Sequence, residues 1–267
     1  MKRLVAFAAA LLVTTALAAT AGASTASAPT MHAGQLVVAF GDPAVNFADG
    51  KLRGSTFINP KGYEVDLAAA VAKNLHLTPK WVYAPWAKLF APGAKSFDIS
   101  FQEATITAAR KRTVDFTSSY FNANQGVLLS KTAKTPHSIA DLKSLQTCAQ
   151  TDTTGLLWIQ QKLHPNKAPL IYQSTSAAFV AVHVGRCDAL ILDTPIVASE
   201  KKARPNNYGA VAAQIVTHEQ YGAVLKKNSP LTPIVDAQIK KLWANGTIAK
   251  LQKKWFNINF AKIPVIH

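Results

Sequence analysis

Cysteine, methionine and acidic residues are scarce in this sequence, and only one apolar run near the N-terminus is long. The 267 residues include 2 cysteines, without the C-x-x-C spacing of a redox site, and 7 histidines scattered without metal-ligand spacing. Glycine and proline number 13 and 14, about a tenth of the chain, which excludes a collagen-like or low-complexity protein. The sequence has no G-x-S-x-G, P-loop or H-E-x-x-H motif. It therefore predicts a folded protein with no metal and no cofactor.

Acidic residues are outnumbered by basic ones, 14 against 29, which gives a formal net charge of +15. Such a charge would suit nucleic acid or an anionic membrane if it were clustered. The lysines instead stand singly or in pairs, as in Lys201-Lys202 and Lys240-Lys241. A solvated basic surface is therefore expected, and no nucleic-acid partner is predicted.

The N-terminal segment has the organisation of a secretory signal peptide. Two basic residues precede an apolar run over residues 4–17, and small residues follow it. The run is shorter than the roughly 20 residues that span a bilayer. We expect cleavage after Ala23, with residues 1–23 as the signal peptide, since the alternative after Ala28 would place Pro29 directly after the cut. No cysteine follows either position, so the mature protein is predicted to be periplasmic and not lipid-anchored.

The two cysteines, Cys148 and Cys187, lie in the predicted exported part, inside apolar runs that are typical of strands. In an oxidising compartment such a pair favours a disulfide, and two buried thiols are the alternative. A disulfide here would contribute to stability rather than to chemistry.

Short apolar runs alternate with helical patterns along the chain. The runs are typical of buried strands and cover residues 36–40, 81–83, 97–101, 126–129, 147–149, 170–172, 189–192 and 221–225. A helical pattern between two of them places Tyr63, Leu67, Val71 and Leu75 on one face. This alternation predicts an α/β protein with largely parallel sheets that are covered on both faces.

Capping signals mark several helix boundaries. Ser138 precedes a helix with Asp141 at its third position, and Thr232 is expected to cap a helix that Pro233 opens. Gly246 is expected to lie at the end of that second helix. A basic amphipathic helix follows it, for which docking on the fold is favoured over a membrane-surface role.

Polar residues follow three of the predicted strands, where open α/β sheets bind their ligands. They are Glu103, Thr105 and Arg110 after the first strand, Thr153 and Thr154 after the second, and Asp193 after the third. Arg110 can bind a carboxylate through two parallel hydrogen bonds, while Asp193 and the Thr105 hydroxyl group can bind an ammonium group. Together these groups predict a site for a zwitterion. Taken singly, Arg110 also fits a surface charge, and Asp193 also fits a helix cap.

Five segments occur in the order and approximate spacing of the amino-acid-binding branch of bacterial solute-binding proteins, which serve ABC importers. They read GYEVDLAAAVAKNL, FDISFQEATITAARKRTVDFTSSYF, QTDTTG, GRCDALILDTP and QYGAVLKKNSPLTPIVDAQIKKLWANGTIAKLQKKWF. The chain resembles this family from about residue 35 to residue 256. The resemblance implies the type II fold of periplasmic binding proteins: two α/β lobes, each a mostly parallel sheet flanked by helices, joined by two hinge strands and closing on a ligand.

The resemblance also implies a division of the chain. Residues 30–125 and 222–267 are expected to form lobe one, and residues 126–221 lobe two. The crossings between them are expected near residues 124–129 and 220–225. Both cysteines then fall in lobe two, where a disulfide would brace that lobe without locking the hinge.

Individual residues match positions of known role in the family. Arg110 resembles the arginine that binds the ligand carboxylate, and Asp193 resembles the aspartate that binds its ammonium group. Thr105 matches a hydroxyl position. Thr153 and Thr154 match the loop that faces the carboxylate.

The expected walls for the ligand side chain match less completely. Trp86 matches an aromatic position that packs on the side chain, although a place in the core is an alternative. Asp42 matches an acidic position that meets a cationic side chain in some relatives. The stretch after it departs from the family pattern, because Val45 or Asn46 stands at the usual aromatic position and Phe47 lies beyond. Half of the expected aromatic sandwich is therefore not assigned.

Glu103 stands where small hydroxyl residues are common in the family, which makes the expected pocket more acidic. Burying its carboxylate without a partner would cost on the order of several kcal/mol or raise its pKa. One hypothesis is that Glu103 and Asp42 recognise lysine, arginine, ornithine or histidine. The alternative is that Glu103 points outward or pairs with a lysine.

The sequence as a whole predicts a monomeric, exported protein that captures a polar L-amino acid and delivers it to the permease of an ABC transporter, without catalysis. The ligand is expected to be a basic amino acid if Glu103 and Asp42 bind its side chain. A second hypothesis is an exported prephenate or arogenate dehydratase with Glu103 as general acid. A third is a ligand-sensing partner of a receptor, which would use the same site.

Overall fold

Two mixed sheets organise the part of the chain described by the computed structural model, residues 28–267. The predicted signal peptide lies outside these residues. The strands are β1 (Gln35–Phe40), β2 (Asp49–Arg53), β3 (Thr56–Lys61), β4 (Thr78–Tyr83), β5 (Ile99–Ser100), β6 (Val114–Phe116), β7 (Phe121–Leu129), β8 (Thr147–Gln150), β9 (Leu170–Tyr172), β10 (Ala189–Asp193), β11 (Val211–Tyr221) and β12 (Val224–Lys226). The helices are α1 (Tyr63–Asn74), α2 (Trp86–Leu89), α3 (Ala108–Lys111), α4 (Ile139–Ser144), α5 (Thr154–Trp158), α6 (Thr175–His183), α7 (Thr194–Ala203), α8 (Leu231–Ala244) and α9 (Thr247–Trp255). A π-helical turn, Ile159–Leu163, follows α5, and a 3₁₀ turn, Phe260–Lys262, follows α9.

The strands pair into a seven-stranded sheet, β2-β3-β4-β1-β5-β12-β6, and a five-stranded sheet, β11-β7-β10-β8-β9. We call the first sheet with its helices the first lobe, and the second sheet with its helices the second lobe. β1 lies between β4 and β5 and is parallel to both, and β8 is parallel to both β9 and β10. The two-lobed α/β fold predicted from the sequence is therefore confirmed, but both sheets are mixed rather than mostly parallel, because hairpin strands and the crossing strands pair antiparallel.

The first lobe is built on β1, whose residues Leu36 to Phe40 are all buried. Such a continuous apolar run is typical of a strand with both faces covered. α1 covers one face and begins after Gly62, whose φ is 142°. A Cβ at this position would lie 2.0 Å from the carbonyl oxygen of Phe47, so only glycine fits the approach of this loop to the helix.

β7 and β11 cross from one lobe to the other as an antiparallel pair, with a register shift between Ile215 and Glu219. Phe121 and Tyr221 belong to the core of the first lobe, whereas Val127 and Ile215 belong to the core of the second. These two strands therefore connect the two lobes. The residues at which one lobe passes into the other stay a prediction.

Three local predictions are wrong. The run at residues 221–225 is not one strand, because the chain breaks between β11 and β12. Thr232 does not cap α8, which begins at Leu231; its hydroxyl group donates to Asp115 Oδ2 (3.0 Å) instead. Cys187 precedes β10 rather than lying on it.

The segment after α9 packs on both lobes. Phe256 lies in the core of the first lobe and Ile266 in the core of the second. The backbone N–H of Gln214 on β11 donates to Pro264 O (2.6 Å), and the N–H of Ile266 donates to Gln214 O (3.1 Å). The chain thus passes back to the second lobe here, whereas the division expected from the sequence assigns all of residues 222–267 to the first.

Cys148 and Cys187 form a disulfide, as the sequence predicts. Cys148 lies on β8, and Cys187 lies just before β10, the parallel neighbour of β8. Both cysteines are fully buried beside α6 in the second lobe. The bond therefore braces one lobe and does not link the two.

Replacing both cysteines by serine is expected to lower the free energy of unfolding by about 2–4 kcal/mol. The disulfide closes a loop of 39 residues, for which chain entropy gives a contribution of about 4 kcal/mol. Urea unfolding of the two proteins measures the difference. A reductant should lower the stability of the wild type toward that of the double variant and leave the variant unchanged. Equal stabilities without reductant would contradict the role of the bond.

Candidate functional site

A cavity of about 300 Å³ lies between the two lobes, at the carboxyl ends of β1, β5, β8 and β10. This is the edge at which open α/β sheets bind ligands. The cavity is lined by all eight residues that the sequence predicts for ligand binding: Asp42, Trp86, Glu103, Thr105, Arg110, Thr153, Thr154 and Asp193. The structure thus brings the eight residues together, and their roles toward a ligand stay predictions.

Arg110 lies on α3, a short helix that the Thr107 hydroxyl group caps by accepting from the backbone N–H of Arg110 (3.1 Å). The guanidinium group donates from Nη1 to Thr105 O (2.8 Å) in the first lobe. It donates from Nη2 to Asp152 O (2.9 Å) in the second lobe. The other guanidinium N–H groups have no hydrogen-bond partner among residues 28–267. They are available to a carboxylate that enters the cavity.

Two aromatic rings fix the plane of the Arg110 guanidinium group. Its central carbon lies 4.1 Å from the ring centroid of Phe90 and 5.1 Å from that of Trp86. Burial lowers the pKa of Arg110 to about 10, while the carboxylates of Asp193 and Glu219 act in the opposite direction. Arg110 is therefore positively charged at neutral pH.

Asp193 ends β10 and precedes α7. Its Oδ1 accepts from Gln125 Nε2 (2.6 Å), and its Oδ2 accepts from the Tyr221 hydroxyl group. Burial and the nearby Glu219 raise the pKa of Asp193 to about 7, and the two hydrogen bonds and the Arg110 charge limit the rise. A cation that enters the cavity would favour the ionised carboxylate.

The three predicted threonines differ in what their hydroxyl groups do. The Thr153 hydroxyl group caps α5 and donates to Gln150 O (2.7 Å), so the helix already uses it. The hydroxyl groups of Thr105 and Thr154 both donate to Glu219 Oε2, each at 2.7 Å. A carboxylate from the chain therefore holds two of the hydroxyl groups that the sequence assigns to the ligand.

Glu103 faces the cavity with φ of 47°, in the left-handed region that a residue other than glycine seldom adopts. Its backbone N–H donates to Glu64 Oε1 (2.9 Å). Its Oε1 is buried and has no hydrogen-bond partner among the described residues. The alternative of an outward-pointing Glu103 or a lysine partner is therefore wrong.

Several carboxyl groups surround Glu103. Burial, and then Glu64, Asp193 and Asp42, raise the pKa of Glu103 well above its ordinary value. Burial likewise raises the pKa of Glu64 to about 7, against hydrogen bonds from the Tyr120 hydroxyl group and the Glu103 N–H. This side of the cavity is consequently short of positive charge.

The loop after β1 forms the remaining wall. Asp42 accepts a hydrogen bond from the Tyr83 hydroxyl group (3.1 Å) and lines the cavity, as does Val45. Phe47 is fully buried in the core of the first lobe. This loop therefore supplies no aromatic face to the cavity. Trp86 packs beside Arg110, and its buried indole N–H has no hydrogen-bond partner among the described residues.

Sequence reasoning missed three residues of the site: Gln125, Glu219 and Tyr221. All three lie on β7 and β11, the crossing strands. Polar side chains on strands that pass beneath a cleft need partners when buried. That requirement is a signal the sequence offers, although it does not name the partners.

Comparison with known proteins decides the family. The sequence profile described as "Bacterial extracellular solute-binding proteins, family 3" matches residues 43–258. The chain belongs to this family.

This solute-binding protein has curated relatives in several bacteria. It is 28% identical over 207 residues to the L-arginine-binding protein of Pseudomonas aeruginosa, covering 74% of this chain and 80% of the relative. It is 31% identical over 204 residues to a glutamine-binding protein of an ABC transporter of Bacillus subtilis, covering 73% of this chain and 72% of the relative.

Solved structures show the same fold. An ancestral arginine-binding protein bound to glutamine is 26% identical, with a TM-score of 0.73 and coverage of 85% of this chain and 100% of that one. An ancestral amino acid-binding protein described as a precursor of cyclohexadienyl dehydratase is 30% identical, with a TM-score of 0.72 and coverage of 84% and 96%.

The family and these relatives are binding proteins and not enzymes, so the dehydratase hypothesis gains no support from them. The family is extracytoplasmic. Among residues 28–267 of the solute-binding protein, no helix has the length and apolar character needed to cross a membrane.

Proposed function

We propose that this protein captures a basic L-amino acid in the cavity between its lobes and delivers it to the permease of an ABC transporter. Export by the signal peptide at residues 1–23, a periplasmic location and a monomeric state belong to the same proposal. The observation that carries it is that a guanidinium group, Arg110, and a carboxylate, Asp193, line one cavity from separate lobes.

The head group of an amino acid fits these two charges. The free N–H groups of Arg110 suit the α-carboxylate as a bidentate pair. The Asp193 carboxylate and the Thr105 hydroxyl oxygen suit the α-ammonium group. Because the two charges come from separate lobes, binding would draw the lobes together.

The charge left in the cavity favours a basic side chain. Once the head group is bound, Asp42 and Glu103 remain as acidic groups on the cavity wall, whereas Glu200 is paired with Arg204. Besides Arg110 and Arg204, the wall carries His183, whose Nδ1 lies 3.0 Å from Asn207 O. A neutral ligand would leave the buried Glu103 oxygen unpaired or protonated, and a cationic side chain would give it a partner.

Contacts between the lobes support capture by closure. Asn46 Nδ2 donates to Ser199 Oγ (3.1 Å), which joins the loop after β1 to α7. Lys202 Nζ donates to Asn257 O (2.7 Å), which joins α7 to the segment after α9. A ligand between these elements would be shielded from solvent, as delivery to a transporter requires.

L-arginine and L-citrulline, which differ in the side-chain charge, test the assignment of a basic ligand. Calorimetry at pH 7.5 is expected to show binding of L-arginine at least about tenfold tighter than that of L-citrulline, as a charge-assisted hydrogen bond predicts. Glu103→Gln should weaken the binding of L-arginine by about tenfold and change the affinity for L-citrulline little.

Asp49→Asn is the matched control, because it removes a half-exposed carboxylate of the first lobe that does not line the cavity. It should leave both affinities unchanged. Tight binding of neutral amino acids without binding of basic ones would disprove the basic ligand. Absence of binding to any of the twenty amino acids would disprove the proposed function.

A further inference from the structure

Glu219 holds three hydrogen bonds at the base of the cleft. It lies on β11, and its Oε2 accepts from Thr105 Oγ1 and Thr154 Oγ1, each at 2.7 Å. Its Oε1 accepts from Gln125 Nε2 at 2.9 Å. Three polar groups from separate parts of the chain thus meet at one carboxylate.

These groups come from both lobes and from the connection between them. Thr105 follows β5 of the first lobe, and Thr154 opens α5 of the second. Gln125 and Glu219 lie on β7 and β11, the crossing strands. Glu219 can keep both threonine contacts only while the two lobes are close together.

The chemistry of a carboxylate fixes the direction of these hydrogen bonds. An ionised carboxylate can only accept hydrogen bonds. Each threonine therefore donates its one hydroxyl proton to Glu219. The Thr105 oxygen is then left as an acceptor toward a ligand, and the Thr154 oxygen, which already accepts from Gln125 Nε2 (3.2 Å), keeps one lone pair toward the cavity. Such oxygens suit an ammonium group and repel a carboxylate.

The Gln125 amide strengthens this arrangement. Its Nε2 lies within hydrogen-bond distance of three acceptors: Asp193 Oδ1 (2.6 Å), Glu219 Oε1 (2.9 Å) and Thr154 Oγ1 (3.2 Å). The amide is therefore held with its nitrogen toward the two carboxylates. Asp193 and the two hydroxyl oxygens therefore form one acceptor-rich face.

We propose that Glu219 is a positioning residue that joins the two lobes through Thr105 and Thr154 and turns their hydroxyl groups into acceptors for the ligand ammonium group. The ammonium part of this inference rests on the proposed function. The joining of the lobes does not, and it can be measured without ligand.

The first test measures the distance between the lobes in the ligand-free protein. Spin labels at Lys162→Cys in the second lobe and Lys250→Cys in the first occupy exposed positions, and the two native cysteines are paired. Double electron–electron resonance should give longer and broader distances for Glu219→Gln than for the otherwise wild-type protein. Asp49→Asn should give the wild-type distribution. An unchanged distribution in Glu219→Gln would overturn the bridging role.

The second test measures selection for the ammonium group. L-arginine is compared with 5-guanidinopentanoate, which lacks only the α-ammonium group. Glu219→Gln should reduce the preference for L-arginine by about tenfold, and Thr105→Val should remove most of the effect of Glu219→Gln.

These outcomes separate the two proposals. An unchanged preference in Glu219→Gln, with tight binding in the wild type, would overturn the orienting role and leave the proposed function intact. A wild type that binds no amino acid would overturn the proposed function and the ammonium role together, and the distance measurement would still decide the bridging role. A uniform loss of affinity for both ligands, together with an unchanged distance distribution, would overturn both roles of Glu219 and mark it as merely structural.

Discussion

Arg110→Ala is expected to weaken binding of L-arginine by about 100-fold or more. The Arg110 side chain is half-buried, and a ligand in the cavity would cover it further. Removing one partner of a buried, hydrogen-bonded charge pair costs about 2–5 kcal/mol. The substitution also removes the contact to Asp152 O, which joins the lobes. Isothermal titration calorimetry of the two proteins measures the loss.

The loss should depend on the ligand carboxylate. Agmatine has the guanidinium and ammonium groups of L-arginine but no carboxylate, so its affinity should fall much less in Arg110→Ala. The matched control is Arg112→Ala, which removes an exposed arginine two residues away that does not line the cavity. Equal losses for both ligands, or a loss in Arg112→Ala, would contradict the assignment of Arg110 to the carboxylate.

Asp193→Asn is expected to weaken the binding of L-arginine by about 100-fold, as Arg110→Ala does, because it leaves the ligand ammonium group without its counter-charge. Asparagine has the same shape, and Gln125 and Tyr221 lie close enough to hold it. A normal melting temperature would confirm that the fold is intact. Wild-type affinity in this variant would contradict the site.

The pH dependence of binding gives Asp193 a second signature. Its pKa is about 7 in the ligand-free protein, and a bound ammonium group lowers it. Below pH 7 binding must therefore displace a proton, so affinity should fall with decreasing pH, by up to about tenfold per unit. Above pH 7 the Asp193 contribution is constant.

Glu103 also has a raised pKa and faces the same cavity, so it adds a separate increase of affinity with pH for a basic ligand. The Asp193 part is hence the difference between the wild type and Asp193→Asn, measured by calorimetry from pH 5 to pH 8. Parallel pH profiles in the two proteins would contradict the assignment of the titration to Asp193.

Much of the fold follows from local signals in the sequence. β1 and β10 contain continuous apolar runs, Leu36 to Phe40 and Ala189 to Leu192. Ser138 caps α4 as predicted because its partner, the Asp141 N–H, is three residues away. Thr232 shows the limit of such signals. Its hydroxyl group bonds instead to Asp115, a residue distant along the chain, and tertiary contacts decided the start of α8.

The candidate site likewise contains residues that could be predicted from the sequence and residues that could not. Residues at the ends of parallel strands could be predicted to meet, since those ends lie at one edge of each sheet. Gln125 and Glu219 could not, because the direction of their side chains depends on the pairing of β7 with β11 and on its register shift. The separate uses of Thr153 and Thr154 depend on which of two neighbouring hydroxyl groups caps α5.

The segment after α9 has a mechanical consequence. Besides β7 and β11, it forms a third covalent passage between the lobes, held to the second by the paired backbone groups of Gln214 with Pro264 and Ile266. Two passages permit both bending and torsion, whereas a third one resists torsion. We therefore expect the cleft to open by bending of the two lobes about one fixed axis, with little twist of one lobe relative to the other.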